Sequence, residues 1–155
     1  MDVMIILGSE TDMEVAEKAM SVFDLLGVDY EINIASAHRT PERVKKLVKD
    51  SKAKIFIAIA GLSAALPGVI ASYTLKPVIG VPVSGKLNID AVFSILQMPP
   101  GVPVGAVGLD NGQNAALFAA EILAIKNKKI DRKLMEYRKR MKDKVIADSK
   151  KISSN

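Results

Sequence analysis

The hydrophobic positions along the chain follow two alternating patterns. Short, continuously apolar runs are typical of strands that are covered on both faces, and the segments between them carry apolar residues every three to four positions, as on one face of a helix. These patterns predict five strands, at 3–7, 30–35, 55–60, 77–81 and 104–107. They also predict helices at 13–26, 41–51, after the break at 61–63 as far as about 73, 89–97, 113–125 and 131–147.

The regular alternation of strand and helix predicts the fold class. Strand–helix–strand units join into a parallel sheet by right-handed crossovers, with helices on both faces. No internal repeat or long linker divides the chain. We therefore expect one α/β domain over residues 1–155, a doubly wound parallel sheet of about five strands with an extra C-terminal helix.

Two helix ends carry recognisable signals. Thr11 or Asp12 is expected to cap the helix at 13–26, and Gly27 suits its C-terminal end. The last helix has an apolar stripe opposite a basic face, and the stripe consists of Ile130, Leu134, Tyr137, Met141 and Val145. We expect this helix to pack on a neighbouring subunit, with packing on its own domain as the alternative, and residues after 147 to fray.

Composition and charge exclude several classes of function. Residues 126–155 hold 12 Lys/Arg and 4 Asp/Glu, whereas residues 1–125 hold 10 and 13, so the net charge of +5 comes from the C-terminal segment. Few aromatic residues accompany these cations, so we expect a solvated basic helix and no nucleic-acid partner. No apolar run approaches the roughly 18 residues of a membrane span, and no leader pattern precedes residue 3, so a cytoplasmic protein is expected. The absence of cysteine and the presence of one histidine exclude disulfides and a thiolate or multi-imidazole metal centre within one chain.

The candidate chemistry centres on the only histidine, His38, which follows a predicted strand. An unperturbed imidazole has a pKa of about 6.5, so it can both give and take a proton near neutrality. The loops at 8–12, 36–41, 61–68 and 82–87 all follow strands, and ligands of doubly wound sheets bind at that edge. We therefore predict that His38 is an acid–base residue in a site on the carboxyl edge of the sheet.

Other residues of these loops are candidates for binding an anionic ligand. Gly8 and Ser9 form either a phosphate-binding turn or an ordinary tight turn. The Arg39 guanidinium can form a bidentate pair of hydrogen bonds with a phosphate or carboxylate. Asp12 could accept hydrogen bonds from ribose hydroxyls or cap a helix, and Ser36 could donate to an anion or cap its turn. A GxSxG nucleophile elbow and an acidic cluster at the strand ends are absent, so proton transfer on a bound anionic small molecule remains.

Five motifs occur in an order that resembles a known family. They are GSETD at 8–12, SAHRTP at 36–41, the segment from AG at 60–61 to LPG at 66–68, GVPV at 80–83, and QMPPGVPV at 97–104. Together they resemble the N5-carboxyaminoimidazole ribonucleotide mutase family of purine biosynthesis, over residues 3 to about 125. The resemblance implies a three-layer flavodoxin-like domain, a homo-octamer with sites near subunit boundaries, and catalysis without metal or organic cofactor.

The resemblance also implies roles for individual residues. His38 resembles the catalytic acid–base, Ser9, Asp12 and Arg39 resemble the nucleotide-binding residues, and Ser36 lies near the phosphate. The loop at 61–68 is expected to hold CO2, and the substrate-binding residues include Gly8, Gly61, Ala65 and Leu66. The implied reaction moves a carboxylate from the exocyclic nitrogen of an aminoimidazole ribonucleotide to ring carbon C4. Direct carboxylation of aminoimidazole ribonucleotide with CO2, and a non-catalytic nucleotide-binding subunit, remain alternatives.

Two positions depart from the family pattern. Ala65 stands where the family usually has a second histidine, and Met13 stands where it commonly has tryptophan. The branch that carboxylates directly typically has lysine after the catalytic histidine. Arg39 and the segment 97–99 therefore favour the mutase branch over the carboxylase branch.

Overall fold

The computed structural model describes residues 1–86 and 88–153 and contains alternating strands and helices. The strands are β1 (Val3–Leu7), β2 (Tyr30–Ile34), β3 (Ile55–Ala60), β4 (Val78–Pro82) and β5 (Gly105–Ala106). The helices are α1 (Met13–Leu26), α2 (Pro41–Asp50), α3 (Leu66–Tyr73), α4 (Asn88–Leu96), α5 (Gly112–Ala124) and α6 (Lys128–Ser153). The α/β prediction is confirmed.

All five strands pair in parallel, in the order β2-β1-β3-β4-β5. β1 lies between β2 and β3, and the direction in which the chain winds changes there. Val3 of β1 lies opposite Tyr30 of β2 and opposite Ile55 of β3. In such sheets the crevice beyond the carboxyl ends of the strands at this switch is the usual ligand site.

The sheet divides the core into two layers because successive strand residues point to opposite faces. Ile5, Ile57 and Ile79 belong to the layer that contains the buried residues of α1 and α5. Ile6 and Phe56 belong to the opposite layer, with the buried residues of α2, α3 and α4. β1 and β3 are buried at every residue, which explains their continuously apolar sequences.

α1 and α5 pack unusually closely. A Cβ atom added to Gly112 would lie 2.0 Å from the backbone oxygen of Val15, so no larger residue fits there. Ala115, Ala116 and Ala119 continue the small-residue face of α5 and are fully buried. This close packing fixes α1, and with it the turn that connects α1 to β1.

The predicted ends of the last helix are wrong at both ends. α6 begins at Lys128 because the Asn127 side chain accepts hydrogen bonds from the backbone N–H groups of Lys129 and Ile130. It continues to Ser153, beyond the predicted end at 147, since no glycine or proline interrupts it. The expected fraying is therefore wrong for residues 148–153, and residues 154–155 lie outside the described residues.

The apolar stripe of α6 is covered only in part. Ile130 and Leu134 are buried in the layer that contains α1 and α5, whereas Met141 and Val145 are exposed. The proximal part of the helix thus packs on its own domain. Over the residues that the structure describes, no helix is long and apolar enough to cross a membrane.

Candidate active site

The loops after β1, β2 and β3 surround a cleft of about 360 Å³ at the carboxyl edge of the sheet. We call it the cleft; its lining residues are Gly8, Ser9, Thr11, Asp12, Ser36, Ala37, His38, Arg39, Ala60, Gly61, Leu62, Ala64, Ala65 and Leu66. All nine residues singled out from the sequence are among them. The structure therefore brings the candidate residues together at the winding switch of the sheet.

The loop after β4, at 82–87, was expected to line the site together with the other three loops. Its described part leaves β4 at the same edge, yet none of residues 83–86 lines the cleft. The backbone N–H of Ser84 donates to the Asp110 carboxylate at 2.8 Å, and the Asp110 N–H donates to the Pro82 carbonyl at 2.9 Å. The loop is thereby held toward the segment after β5. Leu87 lies outside the described residues.

Ser9, rather than Thr11 or Asp12, supplies the cap before α1. The Ser9 Oγ atom accepts a hydrogen bond from the Thr11 N–H, and the Asp12 carboxylate accepts one from the Ser9 N–H at 3.0 Å. These bonds form a capping box around a single 3₁₀ turn at Glu10–Asp12. The predicted side-chain cap by Thr11 or Asp12 is wrong, because Asp12 turns back toward Ser9. The prediction for Gly27 is confirmed by its left-handed backbone, with a φ of 67°.

Asp12 is the buried charged side chain of the cleft. It is 6 % exposed, and burial raises the pKa of its carboxyl above the ordinary value. Hydrogen bonds from Ser9 and Thr11 and the charge of Arg39 oppose this rise in pKa but do not cancel it. A carboxylate held at such a position is a strong acceptor for hydroxyl groups of a ligand.

Arg39 bridges two loops of the cleft. Its Nη2 atom donates to the Gly8 carbonyl at 3.0 Å, and its Nε atom donates to the Ser36 Oγ atom at 3.3 Å. A guanidinium has five N–H donors, so donors remain for an anion. The side chain is exposed at the mouth of the cleft, where a phosphate could reach it.

His38 lies in the turn between β2 and α2 and is exposed toward solvent. Its neighbours in the cleft are the turn after β1, which contains Ser9 and Asp12, and the loop after β3. An exposed imidazole in a cleft can exchange protons with a bound ligand and with water. His38 therefore lies where it can act as an acid or a base on a ligand bound in the cleft.

The loop after β3 forms the apolar wall of the cleft. Ala64 is buried and has a left-handed backbone with a φ of 54°, which a non-glycine residue adopts rarely. Ala65 precedes α3 without a side-chain cap, so the first N–H groups of that helix have no side-chain partner there. Ala64 was expected in an apolar pocket together with Ala65 and Leu66, and it lines the cleft. Ala60 and Leu62 line it too but were not singled out from the sequence, because apolar side chains carry no chemical signal.

No group of three or more His, Cys, Asp or Glu that could hold a metal ion occurs among the described residues. The polar groups of the cleft are one imidazole, one guanidinium, one carboxylate and several hydroxyls. Such a set suits an anionic small molecule with hydroxyl groups.

Comparison with known proteins places the chain among related sequences. The sequence profile of the AIR carboxylase family matches residues 2–144. The N5-carboxyaminoimidazole ribonucleotide mutase of Methanocaldococcus jannaschii is 58% identical over 149 residues, which cover 96% of this chain and 95% of that protein. The N5-carboxyaminoimidazole ribonucleotide mutase of Thermotoga maritima is 46% identical, over 96% of this chain and 90% of that protein.

The fold comparison agrees with the sequence comparison. The crystal structure of Treponema denticola PurE superposes with a TM-score of 0.87 and 34% sequence identity. The match covers 96% of each chain. The likeness therefore extends over nearly the whole molecule.

Proposed function

The chain belongs to the AIR carboxylase family, and on that basis we propose that it is an N5-carboxyaminoimidazole ribonucleotide mutase, an isomerase of purine biosynthesis. The observation that carries this proposal is the cleft, where the only histidine lies with Arg39, Ser9 and Asp12 at the winding switch. Relatives that cover nearly the whole chain carry the same mutase name.

We assign nucleotide binding to the two polar loops of the cleft. Arg39 and the turn at Gly8 and Ser9 would bind the phosphate, because guanidinium and backbone N–H groups are its usual partners. The buried carboxylate of Asp12 would accept hydrogen bonds from the ribose hydroxyls. The Ser36 Oγ atom already accepts hydrogen bonds from the backbone N–H and the Nε atom of Arg39, and its own hydroxyl would donate to the phosphate.

In the proposed reaction, His38 acts first as an acid and then as a base. The bond between the exocyclic nitrogen and its carboxylate carbon breaks and releases CO2, while protonated His38 gives its proton to that nitrogen. Ring carbon C4 then attacks CO2 and forms the new carbon–carbon bond. Neutral His38 finally removes the C4 proton, which restores the aromatic ring and the starting charge of the imidazole. One histidine suffices because it gives one proton to the nitrogen and takes another from C4, which restores its starting protonation state.

The loop after β3 would retain CO2 between these steps. Ala64, Ala65 and Leu66 present apolar surface in the cleft, and CO2 is a small uncharged molecule that gains little from water. An apolar wall also excludes water from the reacting carbons. Gly61 lines the cleft beside this wall.

The direct test is an assay of purified protein with two substrates. We expect conversion of N5-carboxyaminoimidazole ribonucleotide into 4-carboxyaminoimidazole ribonucleotide without ATP, and little product from aminoimidazole ribonucleotide at ordinary bicarbonate concentration. Turnover of aminoimidazole ribonucleotide alone would show a direct carboxylase. Binding of both nucleotides with turnover of neither would show a non-catalytic subunit.

We also propose that the protein works as a homo-oligomer, an octamer by resemblance to the family. Ile89, Phe93 and Leu96 leave one face of α4 apolar and more than half exposed. Met141 and Val145 do the same on the distal part of α6. Monomeric proteins rarely expose contiguous apolar surface of this kind, so we assign both faces to contacts with neighbouring subunits.

A further inference from the structure

The imidazole of His38 is positioned by its backbone alone. Across the described parts of the chain, no residue forms a hydrogen bond or an ion pair with the His38 ring. The ring is also exposed, so close packing does not fix it. Its place in the cleft therefore depends on the conformation of the turn at 36–40.

Thr40 closes this turn. The Thr40 N–H donates to the Ser36 carbonyl at 2.9 Å, and the Ser36 N–H donates to the Thr40 Oγ1 atom at 2.9 Å. The Thr40 hydroxyl in addition donates to the Ser36 carbonyl at 3.2 Å. Both ends of the segment that carries His38 are thus joined by one backbone hydrogen bond and by two hydrogen bonds of the Thr40 hydroxyl.

The position of Thr40 in the chain makes this use of its hydroxyl unusual. Thr40 is the residue before α2, where a threonine hydroxyl ordinarily accepts a hydrogen bond from one of the first helical N–H groups. Here it makes no such bond, and only the Thr40 backbone carbonyl accepts from Arg43 and Val44. The hydroxyl is directed backward, into the turn that holds the histidine.

From this geometry we propose that Thr40 is a positioning residue for His38 in the mutase reaction. The proposal rests on the proposed function, because it gives His38 the role of proton carrier. Thr40 does not line the cleft and acts through the turn. Without its hydroxyl, the turn loses the bond to the Ser36 N–H and the imidazole leaves its productive place.

The same geometry predicts a separation between catalysis and binding. Arg39 lies in this turn, but its Nη2 atom is anchored on the Gly8 carbonyl, 31 residues away and independent of Thr40. His38 has no comparable anchor. Loss of the Thr40 hydroxyl should therefore lower kcat much more than it raises KM.

The test compares three variants of the full chain. Thr40→Val keeps the shape and removes the hydroxyl, and Thr40→Ser restores the hydroxyl. Thr74→Val is the matched control, because the Thr74 hydroxyl also accepts a backbone N–H, from Lys76 at 3.1 Å, in a turn away from the cleft. We expect Thr40→Val to lower kcat about 10- to 100-fold, as small displacements of catalytic groups do. KM should stay within about twofold, because the Arg39 guanidinium keeps its anchor on the Gly8 carbonyl. Thr40→Ser and Thr74→Val should behave as the wild type.

A second readout does not depend on turnover. His38 is the only histidine, so its ring gives one set of NMR signals without assignment. In Thr40→Val these signals should move toward the shifts of an unstructured histidine, and in Thr40→Ser and Thr74→Val they should not. Wild-type ring shifts and kcat in Thr40→Val would overturn the proposal, as would equal losses in Thr40→Ser. If the wild type shows no mutase turnover, the proposed function fails, and the ring signals still decide the role of Thr40.

Discussion

Asp12 is the residue of the cleft whose burial most clearly lowers the stability of the fold. It is the buried charged side chain among those that the structure describes, and burial raises its pKa. Folding therefore disfavours its ionised form. A buried carboxylate in the wall of the proposed site agrees with the general observation that active-site residues often lower the stability of a fold.

We expect Asp12→Asn to stabilise the fold and weaken nucleotide binding. Asparagine can still accept the hydrogen bond from Ser9 but carries no charge to bury. Because the folded state raises the pKa of Asp12, the wild type binds more protons when folded, and its stability falls as the pH rises through that raised pKa. Thermal unfolding should give Asp12→Asn the higher Tm at pH 7.

The difference in Tm should shrink as the pH falls and the wild-type carboxyl becomes protonated in both states. Asp143→Asn, at an exposed position on α6, is the matched control and should not change Tm with this pH dependence. A variant Asp12→Asn that is less stable than the wild type at pH 7 would contradict this assignment. So would unchanged affinity for the nucleotide, measured by calorimetry.

At this scale, the sequence indicated residues with distinctive chemistry. The place of His38 and Arg39 at the carboxyl edge of the sheet could be predicted, because both follow a predicted strand. The cap before α1 could not, since Ser9, Thr11 and Asp12 are all good capping residues and only the three-dimensional turn chooses Ser9. The left-handed Ala64 has no sequence signal either, because alanine gives no preference for that backbone.

At the scale of the elements, continuous apolar runs were the strongest signal. β1 and β3 have the predicted ends because both are buried on both faces and stop at a glycine. β5 is shorter than predicted, with two residues, because it pairs with β4 alone, at the edge of the sheet. The end of α6 could not be predicted from periodicity, since its exposed distal part needs no apolar pattern to remain helical.

The contact between α1 and α5 provides a prediction about an element. Gly112→Ala should lower the free energy of unfolding by about 1–3 kcal/mol, the usual cost of overpacking, because the new methyl group meets the Val15 backbone. Chemical denaturation measures this loss. Gly108→Ala is the control, since its added Cβ finds only ordinary contact with Asn111. Equal stabilities of the two variants would contradict the close approach of α1 and α5.

At the scale of the whole molecule, the alternating pattern was sufficient to predict a doubly wound sheet with a cleft at its carboxyl edge. It did not predict which loops meet there. The loop after β4 does not line the cleft, because the Ser84 N–H donates a hydrogen bond to the Asp110 carboxylate, 26 positions away. Such pairings depend on the assembled fold.

The division of α6 predicts how the assembly responds to truncation. Removal of residues 141–155 takes away Met141 and Val145 but keeps Ile130 and Leu134 in the core and the ion pair between Arg138 and Glu121. We expect the far-ultraviolet circular dichroism to show a folded domain. Light scattering after size-exclusion chromatography should show a smaller assembly than the full chain forms. An unchanged mass would mean that the distal part of α6 makes no contact between subunits.

The central claim, that His38 carries the proton, is tested most directly by the variant His38→Asn. Asparagine keeps a polar side chain in the turn but cannot exchange a proton near neutral pH. We predict that kcat for N5-carboxyaminoimidazole ribonucleotide falls about 10²- to 10⁴-fold, the usual contribution of acid–base catalysis, while the dissociation constant of aminoimidazole ribonucleotide changes little. Turnover close to that of the wild type in this variant would contradict the account.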